Sequence, residues 1–157
     1  MDLHAFFEWC DTTALGLAIR GNSWSFPLVE TIHILAITVL LGSILMTDLR
    51  MLGLALRGIP VARLQRQLAK SIDISLLLVV LTGIPLFLSE AVKLDDNIAF
   101  RPKIILLVLA IVFHYGVHNR ATSSDAPAGP AWGKLAAVVS IVLWFGVGAA
   151  GRAIGFV

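Results

Sequence analysis

The sequence predicts an all-α fold: a four-helix transmembrane bundle with an N-terminal amphipathic helix lying in the membrane interface. Three observations predict it. The 157-residue chain is 58% hydrophobic and only 14% charged, with a mean hydropathy of +0.90, far from the composition of a water-soluble domain. Four apolar stretches each approach the roughly 20 residues that a helix needs to cross about 30 Å of hydrocarbon. Proline, glycine and charge bound those stretches, as expected where backbone polar groups must be satisfied within the helix.

The elements follow in chain order. Residues 1–20 place Phe6, Phe7, Trp9 and Leu15 among polar neighbours, the pattern of a helix lying flat on a bilayer. The first span covers residues 24–46 and continues as an interfacial helix towards Arg57. Pro27 falls in its first turn, where no intrahelical donor is required. Gly58-Ile59-Pro60 then breaks the chain. The second span covers 72–92, with a kink expected at Pro85, and Asp95-Asp96-Asn97 marks the next turn. The third covers 102–119, opened by Pro102. A Ser/Ala/Pro/Gly loop from Ala121 to Pro130 leads to the fourth, 132–156. Residues 1–157 thus make a single integral membrane domain, with no room for a second.

Charge bounds orientation and partners. Of the 12 Lys and Arg residues, Arg50, Arg57, Arg63, Arg66, Lys70, Arg120 and Lys134 lie on one side, and Arg20, Lys93, Arg101, Lys103 and Arg152 on the other. The denser first loop is expected in the cytoplasm and both termini outside. A net charge of +2 gives no reason to expect nucleic acid. The single Cys10 excludes an internal disulfide and any multi-cysteine zinc or iron–sulfur site. Asp2, Glu8 and Asp11 interrupt the first twenty residues, so no cleavable signal sequence is expected.

Candidate chemistry lies in the ionisable residues of the spans. His33, Lys103, His114 and His118 sit in oily sequence, where each ionisable group costs a few kcal/mol and is functional by default. At about 100° per residue, Lys103, His114 and His118 fall within about 60° of one another. Glu30 and Asp48 are about five turns apart on one face, with His33 about 60° to the side. Each helix therefore carries one polar stripe, expected to face the bundle interior.

Two histidines on facing helices can hold one b-type haem. Counted from the outer helix ends, His33 lies about 13 Å deep, His114 about 18 Å and His118 about 24 Å, so His33 with His114 is the expected axial pair. In an up-down bundle the first and third helices are diagonal, roughly 13 Å apart, which suits two imidazoles and an iron. Lys103 and Arg152, near outer ends, are available for propionates, for Glu30, or for snorkelling to the interface. A single transition metal ion bound by Glu30, His33 and His114 is the alternative cofactor. A di-iron site is rejected, because Glu30-x-x-His33 has no second copy. His118, beside Asn119 and Arg120, is expected at the interface, and Asp48, Arg50 and Asp73 as a structural ion-pair cluster there. Gly148, Gly151 and Gly155 form a small-residue face suited to close helix packing.

The run Trp24-Ser-Phe-Pro27-Leu-Val-Glu30-Thr-Ile-His33, then Asp48-Leu-Arg50-Met-Leu-Gly53, Phe100-Arg-Pro-Lys103, Phe113-His114 and Gly151-Arg152 resembles a family of small four-span bacterial inner-membrane proteins of unknown function. The resemblance covers about Trp24 to Gly155 and implies a membrane bundle without supplying an activity. More distantly, the arrangement looks like cytochrome b561-type and copper-resistance D-type membrane proteins, in which helix-borne histidines serve haem or copper.

The leading expectation is therefore a single-haem electron-transfer protein or subunit in the bacterial inner membrane, ligated by His33 and His114. Its expected partners are the lipid bilayer, a quinone or redox partner protein, and a second copy of the chain. One alternative is a transporter or a metal- or proton-handling protein using Glu30, His33, Lys103 and His114. The other is a structural or assembly subunit. No nucleophilic triad, phosphate-binding glycine loop or nucleic-acid patch is present, so no enzymatic reaction is assigned.

Overall fold

A computed structural model describes residues 3–123 and 130–156. Most of the loop expected at Ala121–Pro130 lies outside the described residues. The architecture is all-α. Among the described residues, four helices are long and apolar enough to cross a membrane.

The N-terminal amphipathic stretch is two helices rather than one, α1 (Leu3–Asp11) and α2 (Ala14–Gly21). The break is local chemistry: the Thr13 side chain caps α2 by accepting from the Gly16 amide at 3.3 Å, which satisfies one of the free donors of a helix start. Arg20 clamps both helices by donating to the Asp11 carboxylate at 2.7 and 2.8 Å. Inwardly, α1 buries Phe7 and Cys10 against Ala91 and Leu94. Outwardly, Leu3, Phe6, Trp9, Leu15 and Leu17 are exposed, as an interfacial element requires.

The first long helix, α3 (Ser25–Leu52), continues past the apolar stretch as expected but ends five residues short of Arg57. It stops at Gly53, whose φ of 76° lets its amide reach back to Leu49 and Arg50, a left-handed cap that glycine adopts without a Cβ penalty. The second, α4 (Val61–Ser89), starts eleven residues earlier than expected, directly after Pro60. Its opening turns carry Arg63, Arg66 and Lys70, so an apolar-only criterion excludes them although the helix continues. Pro85 lies inside this helix without ending it. A short α5 (Ala91–Asp95) follows, and Asn97 ties this turn to the last helix by donating to the Ile154 carbonyl at 3.1 Å.

The third span is composite: α6 (Phe100–Phe113), a π-helical turn (His114–His118), and α7 (Asn119–Ser123). The fourth, α8, runs from Pro130 to Ala153. Within the bundle α3 packs on α4 and α8, and α6 packs on α8. That leaves α3 and α6 on a diagonal, as the up-down topology predicts. The apolar core gathers Ala36, Leu40, Ile44, Ile72, Leu76, Val79, Ala110 and Trp144. Around it, Leu35, Val39, Leu77, Leu81, Ile105, Val112, Val142 and Phe145 are exposed, which suits contact with lipid. One side of the bundle holds the Gly58 loop and α7 (the loop side); the other holds α1, α2 and α5 (the terminal side).

Candidate functional site

Depth decides what each ionisable residue does. Asp48 and His118 are both fully buried on the loop side, and His118 Nε2 lies 2.7 Å from Asp48 Oδ1. The pair spans the bundle diagonal. His114 is 2% exposed and stacks on His118, with ring centroids 5.1 Å apart and planes 21° from parallel. Four residues apart, the two rings share one face, and they bound a π turn whose widened backbone pairs the Asn119 amide with the His114 carbonyl. Such single π turns inside α-helices are frequent at functional sites. Trp144 of α8 meets the His114 ring edge-on at 6.4 Å.

This core has more hydrogen-bonding capacity than its own members use. His118 Nδ1, His114 Nδ1 and Trp144 Nε1 are buried and unpaired among the described residues, and the Ser140 hydroxyl lies against the Asp48 carboxylate. A buried unpaired polar atom costs about 1–3 kcal/mol, so this concentration of polar atoms on three neighbouring helices marks the candidate site. At its loop-side edge Gln65 donates to Asn119 at 2.9 Å. Beside it, Tyr115 donates to the exposed Asp73 at 2.7 Å and sets its ring edge against His114 at 5.1 Å.

The terminal side is different. His33 is half-buried, bonds Thr82 through Nδ1 at 2.7 Å, and rests on Gly83, where an added Cβ would lie 3.3 Å from the ring. Its hydrogen bond and its ring contact are therefore both with the adjacent α4. Lys103 is half-buried with its methylenes along Gly151. Glu30 is exposed and makes no ion pair among the described residues, contrary to its expected place in the interior. Arg152 is exposed and stacks on Phe156 at 4.4 Å from the ring centroid.

His33 and His114 are not level. Thr82, the partner of His33, lies nine residues along α4 from Asp73, the partner of Tyr115, which is about 13 Å of helix. Through Asp48 and His118 the offset is about 16 Å. Two axial nitrogens bound at about 2 Å from one iron cannot be so far apart, so these residues do not fit a haem shared between them. Depths counted from helix ends gave only 5 Å because those ends are not level. With Asp48 opposite His118, α3 extends about five residues further out than α6.

The metal alternative also lacks its ligands, since no three His, Cys, Asp or Glu side chains converge on a point among the described residues. His118 is corrected from interface residue to the most buried histidine. Asp48, Arg50 and Asp73 are not one ion-pair cluster: Asp48 holds His118, Arg50 donates to the Ile59 carbonyl, and Asp73 accepts from Tyr115. Ser140, Trp144 and Tyr115 carried no signal in the sequence. Asp48 did, because it shares the polar stripe of Glu30.

Residues 6–157 match a family of unknown function, DUF6644. The chain belongs to that family. No curated protein and no solved structure matches it, and the distant likeness of this DUF6644 member to cytochrome b561-type and copper-resistance D-type proteins receives no support.

Proposed function

We propose that this DUF6644 member handles protons within the membrane, with Asp48 and His118 as the exchanging pair and His114 stacked beside it. One observation carries the reading: a carboxylate and an imidazole 2.7 Å apart, both fully buried between spanning helices. Burying such a pair is a poor route to stability, since desolvation offsets most of the attraction and apolar replacements often do as well or better. Carboxylate and histidine chains inside spanning segments are the parts from which proton relays are built. The unpaired nitrogens of His118, His114 and Trp144 and the Ser140 hydroxyl add donors and acceptors beyond those a simple tether between α3 and the third span would use. On the density of basic residues in the first loop, the loop side faces the cytoplasm, and the membrane is the bacterial inner membrane.

Purified protein in liposomes carrying an internal pH dye, with an imposed potential, tests this. Wild type is expected to pass protons above the level of empty vesicles, and His118→Gln to fall to that level while remaining folded. Equal flux in both would reduce the pair to a helix tether. A low-spin haem band in the reduced-minus-oxidised spectrum, lost in His33→Ala, would overturn proton handling in favour of electron transfer.

A further inference from the structure

We infer that protons reach the Asp48–His118 pair laterally, from the flank of the bundle through Asp73 and Tyr115, with His114 as the last protein group before His118. The inference rests on the proton-handling reading and adds a route to it.

The direct way in from the loop end is obstructed. Asn119, next to His118, is bonded by Gln65, and Thr122 of the same turn is buried and bonded back to the His118 carbonyl. The lateral way is lined with polar groups. Asp73 is exposed and lies one turn beyond Lys70, where the basic stretch of α4 ends. It accepts from the Tyr115 hydroxyl at 2.7 Å, Tyr115 contacts His114, and His114 stacks on His118, whose Nε2 faces Asp48. An unbroken series of contacts thus joins an exposed carboxylate to a buried one.

Two of those contacts are ring contacts, and water is the co-reactant that carries protons across them. His114 Nδ1 and His118 Nδ1 are both buried and unpaired, in rings whose centroids are 5.1 Å apart, and a water admitted between them would satisfy both. Polar, otherwise unsatisfied buried atoms are where internal waters bind. The steps balance without any electron transfer. A proton taken up at His118 Nδ1 is matched by one leaving Nε2 for Asp48 Oδ1, so the ring ends neutral in its other tautomer. The proton lost from the water bridge is replaced, hop by hop, from Asp73.

The test uses the full-length protein in the same liposomes. Tyr115→Phe keeps the ring against His114 and removes only the hydroxyl. Proton flux should fall about tenfold or more, in line with the loss of a positioned proton-transfer group, with melting of the helices unchanged. Asp73→Asn should do the same, and Asp73→Glu should restore flux. Tyr115→Phe and Asp73→Asn at wild-type flux, with Asp48→Asn at background, would overturn the route and leave the pair standing. No flux from wild type would overturn both.

Discussion

At the loop side Asp48, His114 and His118 are at most 2% exposed and touch one another, whereas at the terminal side Glu30 and Arg152 are exposed and His33 and Lys103 half-buried. Apart from Arg152 on α8, both sets lie on the same two spans and on the same polar stripes. The difference is how completely the neighbouring helices cover each group, not distance from a helix end, since Asp48 lies four residues from the end of α3 and His33 eight from its start. A long side chain left partly uncovered near an end reaches the interface with its charge while its methylenes stay in apolar surroundings, and Lys103 lies along Gly151 in that way. Where packing covers the group on every side that escape is closed, so a polar group must find a partner or leave an unsatisfied atom. The loop-side residues do both, which makes them the candidate site.

The largest expected effect follows from breaking the buried pair. Asp48→Ala or His118→Ala leaves the other partner buried and unmatched, a loss of about 3–5 kcal/mol. Denaturant unfolding in detergent should show it. His33→Ala removes one hydrogen bond to Thr82 from a half-buried ring and should cost only about 1 kcal/mol. Similar losses at the two sites would erase the contrast.

Glycine substitutions sharpen the comparison next, because close backbone approach helps to hold the terminal side. A methyl on Gly16 would meet the Leu88 carbonyl oxygen at 2.5 Å. Backbone must shift, so Gly16→Ala should destabilise by about 1–3 kcal/mol. Gly42, with nothing within 4 Å of such a methyl, should gain up to about 1 kcal/mol from Gly42→Ala through helix propensity. Thermal melts of the two variants should therefore move in opposite directions.

A smaller effect is expected where α1 meets α5. His4 lies 2.8 Å from Asp95, which also accepts from Arg101 at 3.2 Å. The Asp95 bond, with help from Glu8, holds His4 above its ordinary 6.5, and the His4 bond holds Asp95 below its ordinary 3.8. The His4 contribution is complete below pH 6.5 and is lost as pH rises through its raised value. The Asp95 contribution is complete above pH 3.8 and is lost as pH falls through its lowered value. Hydrogen exchange in α1, corrected for intrinsic rates, should be slowest between pH 3.8 and 6.5, and His4→Ala should flatten that profile. Smallest of all, Glu30→Gln changes an exposed group with no ion pair and should stay within about 0.5 kcal/mol.

The bundle was legible because hydrocarbon thickness and backbone satisfaction leave few solutions for four apolar stretches. Helix ends were less so: the first eleven residues of α4 are helical yet basic, and only the Pro60 start reveals them. Within the site, helical phase grouped His114 with His118 and Glu30 with Asp48, and the diagonal arrangement was foreseen. Partner choice was not. Phase fixes the face of a helix but not how far one helix slides along another, and an offset of about five residues moves the partner of His118 from nothing to Asp48. The π turn is equally silent in the sequence, since its residues would continue an α-helix.

The central claim, that the loop-side pair and not the half-buried terminal-side histidine is the working site, is tested most directly by proton flux measured side by side in Asp48→Asn and His33→Ala liposomes. The expected result is Asp48→Asn at the level of empty vesicles with His33→Ala retaining most of the wild-type rate. Wild-type flux in Asp48→Asn, or its abolition by His33→Ala alone, would contradict it.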